Sequence, residues 1–267
     1  MNFRKQIFIL QLILIGCFIS STSLKAQKLY KTSWDKEAIL YGSSAAFIAS
    51  GLYIDSGRDP ITEYSLSLLN SSDLSGINQG TVDRFSNSAS TQSDYFKNGI
   101  LLVPFALLLS KQGRENTNEL LVLYTEVIAF NSGVTVFTKS AFARYRPYAY
   151  NPDVSLDLKL TNTTRRSFFS GHTSHVASLS FFTAKVFNDL YPESDFRYLV
   201  WGGAIALPAI TGYLRVKAGR HFPTDVIVGY GVGALVGYFI PHLHQITKQS
   251  NINIIGAEGG LGMVYTF

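Results

Sequence analysis

Cysteine is almost absent from this chain: Cys17 is the only one in 267 residues. That excludes an intrachain disulfide framework and any cysteine-based metal cluster. Charge is scarce as well, at 15% of residues against 46% hydrophobic ones. Such a balance is poorer in charge than an ordinary soluble domain, argues against extensive disorder and leaves enough apolar surface for a large core. The net charge of +5 is weaker evidence than it looks. Arg4, Lys5 and Lys25 lie in a leading segment without an acid; without them 20 basic residues face 18 acidic ones, a net of +2. A nucleic-acid partner thereby loses its electrostatic basis. Also missing are an acidic cluster of the kind that holds magnesium, an internal repeat and a regular strand–turn alternation.

What is present begins with a leader-like start. Arg4 and Lys5 precede an apolar run from Ile7 to Ile19, and Ser21 to Ala26 turns polar and ends in a small residue. The pattern is that of a secretory signal, with cleavage expected near Ala26. Leu14-Ile15-Gly16-Cys17 also fits a bacterial lipoprotein cleavage box, and an uncleaved membrane anchor is a third reading. The expected organisation is a signal peptide over 1–26, an N-terminal helix and polar loop over 27–97, the motif-bearing domain over 98–244 and a tail over 245–267.

Six apolar segments have helical length, roughly 37–54, 98–110, 119–138, 172–190, 198–214 and 224–242. They predict an all-α bundle. Residues 55–97 are rich in Ser, Asn, Asp and Gly and read as a long loop with a short helix around Ile61–Leu69; residues 148–168 read as a second loop. In the tail, Leu261, Met263, Tyr265 and Phe267 share one parity, a signal for a short terminal strand. Two placements suit the apolar segments. One keeps 37–54 out of the membrane and inserts 98–110 and 119–138 as a hairpin, closing on the basic Lys111–Arg114 turn. The other is a soluble periplasmic bundle.

Three polar segments interrupt the apolar ones. Lys139 and Arg146 are seven residues apart, two helical turns, so both project from one face before Pro147 ends the helix. Ser170-Gly171-His172 stands where a loop meets an apolar helix. Ser170 suits an N-cap, Gly171 allows close approach to the backbone, and the helix end favours an anion. In the third segment Arg215 is followed by His221 and, four residues later, by Asp225. Asp225 is expected to hydrogen-bond one ring nitrogen of His221, leaving the other free as a nucleophile. Any one segment alone would be an ordinary surface or helix cap. Together, Lys139, Arg146 and Arg215 can surround a phosphoryl group, His221 can attack it in line, and His172 can protonate the departing oxygen. This chemistry needs no metal and no cofactor.

On these residues the chain resembles the type 2 phosphatidic acid phosphatase superfamily, which also contains bacterial non-specific acid phosphatases and vanadium haloperoxidases. That family's pattern is Lys-x6-Arg-Pro, then Pro-Ser-Gly-His, then Ser-Arg-x5-His-x3-Asp. Lys139 to Pro147 matches the first part; Ser170-Gly171-His172 matches the second with Phe169 in place of proline; Arg215, His221 and Asp225 match the third with Leu214 in place of serine. The resemblance covers about residues 98–242. It implies an all-helical bundle of about six apolar helices, its site at one end on the loops between helices 3 and 4 and helices 5 and 6, and the same residue roles.

The function expected is a phosphatase of the bacterial cell envelope, secreted across the inner membrane with its site facing the periplasm. It would hydrolyse phosphate monoesters or pyrophosphates, on lipids above all, through a phosphohistidine. Its expected partner is a phosphorylated lipid or small phosphate ester, with membrane association and no nucleic acid. The rivals are a non-specific acid phosphatase on soluble esters, a vanadium haloperoxidase, and a binding protein with a degenerate site. His175, His242 and His244 receive no role, although His175 is close enough to His172 to touch the site. Arg144, Arg165, Arg166, Lys217 and Arg220 read as loop charges, with Arg165 or Arg166 able to meet an anionic head group.

Overall fold

Helix Gly171–Leu190 is the axis of the fold, with 14 of its 20 residues buried. A computed structural model describes residues 28–246 and the backbone of residues 252–257 and 260–265; the expected signal segment 1–26 and Phe267 lie outside the described residues. Six longer helices organise the chain: α1 (Trp34–Ser56), α2 (Asn87–Gly99), α3 (Thr117–Phe142), α4 (Gly171–Leu190), α5 (Phe196–Lys217) and α6 (Pro223–His244). Helices α3, α5 and α6 surround α4. Leu123 and Val127 of α3, Leu179 and Phe182 of α4, and Val236 and Ile240 of α6 meet in one buried cluster. This is the all-α bundle that the apolar segments predict.

Small residues set the spacing at the centre. Gly229, Gly233 and Gly237 recur every four residues on α6 and face the carbonyls of Ser170, Ser174 and Ser178 on α4. A Cβ at any of the three would fall within the van der Waals envelope of that backbone, so glycine lets the two helices approach closely. Helix α1 uses the same device on α3, where Gly133 meets Ser44 and Gly51 meets Val136. These pairs also show that α1 and α3 run in the same direction.

Two sequence expectations are revised. Residues 55–97 do contain the short helix Glu63–Ser67, closed by a Thr62–Ser65 capping box. They also contain α2, where the composition reads as loop. Its buried face is Ala89 and Ser93, set against Leu214 and Ala218. Small residues bury little apolar area, so they leave no large hydrophobic stripe in the sequence. Segment Ile100–Leu109 follows α2 as a 3₁₀ helix with Pro104 inside it. Proline lacks the N–H that an α-helical interior requires. The tail forms an antiparallel hairpin, Ile252–Ala257 with Gly260–Tyr265, which accommodates the strand parity read at Leu261, Met263 and Tyr265.

Among the described residues, four helical stretches are long and apolar enough to cross a membrane: Trp34–Ser56, Thr117–Tyr150, Phe196–Lys217 and Pro223–His244. The first includes segment 37–54, which the hairpin scheme leaves out of the membrane. Only Ser44 and Gly51 of α1 are buried, while Trp34, Ile39, Leu52 and Tyr53 are exposed. An apolar surface this extensive marks a membrane or partner contact. Association with a membrane follows from these faces.

Candidate active site

The polar end of the bundle gathers the last turns of α3 and α5 and the first turns of α4 and α6. All three sequence motifs arrive there. Lys139 sits in the last turn of α3, which ends at Phe142 and is followed by Ala143 in the left-handed region. Its ammonium is no solvated surface charge: it donates to the carbonyls of Arg166 and Phe169, both at 2.7 Å. Arg146 is fixed through its backbone N–H on the Thr164 carbonyl at 2.9 Å, just before Pro147 opens the short helix Pro147–Tyr150. Its Nε has no partner among the described residues. Arg215, 4% exposed at the end of α5, donates through Nη1 to Ser93 Oγ at 3.1 Å and reaches Ser90 Oγ at 3.4 Å. Its Nε is likewise unpartnered. Buried guanidinium N–H groups without acceptors are costly, and an anion would satisfy them.

Ser170 caps α4, its Oγ accepting from Thr173 N–H at 3.5 Å and exchanging a hydrogen bond with the Thr173 hydroxyl at 2.9 Å. Its own N–H donates to the Asp225 carbonyl at 2.9 Å, which ties the second motif to the third. At Gly171 a side chain would come to 3.1 Å from Thr135 Cγ2 and 3.5 Å from Lys139 Cε, so glycine leaves Lys139 its path to the loop carbonyls. Gly219 bends the α5–α6 connection with φ of +67°, a conformation that glycine adopts without strain.

His221 is 1% exposed and its Nδ1 lies 2.7 Å from the Ser167 carbonyl. A carbonyl only accepts, so Nδ1 carries the proton and Nε2 keeps its lone pair. The expected His221–Asp225 hydrogen bond is not formed, because Asp225 Oδ2 stands 3.8 Å from Nδ1. Asp225 is engaged elsewhere. Its Oδ2 accepts from Ser167 Oγ at 2.6 Å and from the Phe222 N–H at 2.9 Å, while Oδ1 accepts from Arg144 at 2.5 Å. The carboxylate caps the start of α6 and holds the Ser167 loop, and that loop's carbonyl orients the His221 ring. Arg144, read from the sequence as a loop charge, is the cation on this buried carboxylate and also stacks over Phe222 at 4.4 Å. Arg166 pairs with Asp55, Arg165 bonds the Tyr145 hydroxyl at 3.0 Å, and Arg220 lies over the Tyr148 ring at 5.3 Å.

Burial, and then the charges of Lys139, Arg146, Arg215 and His172, hold the His221 imidazole well below its ordinary range. The ring is therefore neutral. His172 Nε2 lies 2.6 Å from Asp94 Oδ1 on α2. The carboxylate accepts the Nε2–H and leaves Nδ1 open. Burial and the Arg215 charge push His172 down to about 3, with Asp94 opposing them. His175, one turn further along α4, is pushed down to about 4 by burial and then by Lys97. Asp94, Ser93 and Ser90 are absent from the sequence reading. They lie some way before the first motif in a polar stretch, and no local signal marks them; only the packing of α2 on α5 brings them to the site.

Three cations, an oriented neutral histidine and a helix N-terminus converge on one end of the bundle, an arrangement able to hold an anion. Residues 120–248 match the sequence model of the PAP2 superfamily. A lipid A 4'-phosphatase from Porphyromonas gingivalis is 32% identical over 116 residues, which are 42% of this chain and 45% of that protein. The chain thus matches less than half the length of that relative. Among solved structures, a transmembrane PAP2 type phosphatidylglycerolphosphate phosphatase from Bacillus subtilis aligns with 89% of this chain and 94% of its own, at a TM-score of 0.43 and 18% identity.

Proposed function

We propose that this chain is an envelope phosphatase that hydrolyses phosphate monoesters or diphosphates of lipids through a phosphohistidine. The observation that carries the reading is the buried His221, its Nε2 lone pair free, beside Lys139, Arg146 and Arg215. The cations hold the phosphoryl oxygens, with added donors from the α4 N-terminus at Gly171. Nε2 of His221 attacks phosphorus in line. The bond to the leaving oxygen breaks with its electron pair staying on oxygen, and His172 supplies that oxygen with a proton. Water, giving a proton to His172, then attacks the phosphohistidine, which releases phosphate and restores neutral His221. His172 needs its proton only with substrate bound, and the phosphate charge favours the imidazolium. Asp225 acts by holding Ser167 and the start of α6 in place.

The exposed apolar faces of α1, α5 and α6 favour an amphiphilic substrate over a small soluble ester. A lipid with a sugar-linked phosphate, as in the Porphyromonas gingivalis relative, is the substrate we place first. The test compares purified protein on a lipid A 4'-phosphate, a phosphatidylglycerolphosphate and p-nitrophenyl phosphate. We expect kcat/KM to favour one of the lipids, to survive chelator and to fall with vanadate. A preference for the soluble ester points to the non-specific acid phosphatase reading. Vanadate-dependent bromide oxidation points to the haloperoxidase one, and silence on every substrate points to a degenerate site.

We further propose a periplasmic site. Because α1 and α3 run parallel, full insertion of both would put the site on the side opposite to residue 28. A cleaved signal and a periplasmic site are then compatible only if α1 lies against the membrane without crossing it. An Asp157→Cys variant should react with an impermeant thiol reagent once the outer membrane is opened. Reaction only after inner-membrane lysis would put the site in the cytoplasm.

A further inference from the structure

At the end of the bundle away from the phosphate site, three titratable side chains from three helices face one another. Glu37 comes from α1, Glu126 from α3 and His244 from the last turn of α6. Glu126 and His244 are fully buried, at 0% and 1% exposure. Neither carboxylate oxygen of Glu126, nor Nε2 of His244, has a hydrogen-bond partner among the described residues. Two carboxyl groups this close together, with no hydrogen bond to the buried Glu126, carry an electrostatic cost. Lys36, next to Glu37, commits its ammonium to the Leu243 carbonyl at 2.6 Å.

The orientation of His244 is specific. Its Nδ1 lies 2.9 Å from the Ile240 carbonyl, so Nδ1 carries the proton and Nε2 presents a lone pair to the carboxylates. A metal-ligating histidine is held in this way, its second nitrogen donating to a backbone carbonyl. Nε2 stands 3.6 Å from Glu37 Oε1 and 3.5 Å from Glu126 Oε2. Both distances are too long for hydrogen bonds. They equal the edge of a tetrahedron around an ion bonded at about 2.0–2.2 Å, which is roughly 3.3–3.6 Å. Glu37 Oε1 is itself steadied by the Ser33 N–H at 2.7 Å. A groove of about 550 Å³ lined by Thr32, Ser33, Trp34, Tyr41 and Val122 opens onto Glu37 and offers an ion access.

We propose that Glu37, Glu126 and His244 form a binding site for one divalent transition-metal ion, zinc or manganese in its ligand chemistry, that clasps α1 to α3 and α6. One imidazole and two carboxylates suit such ions, and their two negative charges balance the ion. The site is separate from the phosphate chemistry: Lys139 lies thirteen positions after Glu126 on α3, roughly 20 Å of helix. The ion is therefore a structural clasp, and hydrolysis does not pass through it. The chain segments beside it support that role. The Lys31 N–H donates to the His244 carbonyl and the Ile246 N–H to the Leu29 carbonyl, both at 2.9 Å, so this corner already joins the start of the described chain to the end of α6.

The test uses the full-length protein in detergent, stripped with chelator and titrated with Co²⁺ as a spectroscopic probe and Zn²⁺ as a competitor. We expect one equivalent of Co²⁺ to give a visible absorption band that Zn²⁺ abolishes, and Zn²⁺ to raise the melting temperature. Glu126→Gln and Glu37→Gln should each lose the band and the shift, whereas His221→Ala should keep both. Without metal, Glu126→Gln should melt at or above the wild type, because it removes one of two closely placed carboxyl groups that lacks a hydrogen-bond partner. The alternative is a protonated His244 shared by the two carboxylates. In that case metal-free Glu126→Gln melts below the wild type and Co²⁺ has no effect on either. That result overturns the proposal, as does stoichiometric binding that survives both substitutions. Should Glu126→Gln fail to fold, the partly exposed Glu37 carries the comparison alone.

Discussion

Asp94→Asn tests the proposed role of His172 as the acid. His172 is pushed down to about 3 by burial and by Arg215, and Asp94 is the group pulling it back up. Asparagine keeps the shape and removes the charge. The Asp94 side chain is 51% exposed, so solvent screens the pair and the interaction is worth only about 1 kcal/mol. With about 1.4 kcal/mol for each factor of ten, kcat should fall about fivefold where protonation of the leaving group limits the rate. The loss should depend on the leaving group. A sugar or alkyl phosphate needs His172 to protonate its oxygen, while p-nitrophenolate departs without help. The sign in pH follows. The acid form of His172 must be present, so activity falls as pH rises through its pKa in the substrate complex. Removing Asp94 lowers that pKa and moves the alkaline limb of the kcat profile to lower pH. The assay is a pair of pH–kcat profiles on an alkyl phosphate and on p-nitrophenyl phosphate. Equal losses on both substrates with an unmoved alkaline limb would refute the reasoning and reduce Asp94 to a packing contact.

Three further outcomes follow from the same geometry. His221→Ala should abolish turnover without unfolding the protein, and acid-quenched labelling should trap an acid-labile phosphoenzyme in the wild type only; retained activity would rule out this nucleophile. Arg144→Met leaves the 0% exposed Asp225 carboxylate without its cation; breaking a buried pair costs about 3–5 kcal/mol, and the partly exposed Arg144 puts the expected loss at the low end, read as a lowered denaturant midpoint in detergent. Gly237→Ala drives a methyl group into the Ser178 backbone across the α4–α6 contact; overpacking of this kind costs about 1–3 kcal/mol, and an unchanged melting temperature would show that the helices can separate freely.

The sequence by itself determined the all-α class, because apolar runs of helical length need no partner to be recognised. It also marked Lys139, Arg146, Ser170, Gly171, His172, Arg215, His221 and Asp225 as candidates at or near helix ends, while their meeting at one end of the bundle was implied only by the family resemblance. Their spacing in helical turns, and their position at helix ends, are local properties that survive any packing. Tertiary structure decided the rest. Asp225 was legible as a partner of His221 from its spacing of four residues. Three dimensions gave it instead to Ser167, Phe222 and Arg144, since a carboxylate in the first turn of a helix bonds the free N–H groups and the nearest cation. Helix α2 was hidden because it buries Ala89 and Ser93, which leave no hydrophobic period. With it were hidden Asp94 and the serines that hold Arg215. His244 carried no motif at all. Its relation to Glu37 and Glu126 exists only where α1, α3 and α6 converge, because contacts between residues so distant along the chain are written in the packing of helix faces rather than in any local pattern.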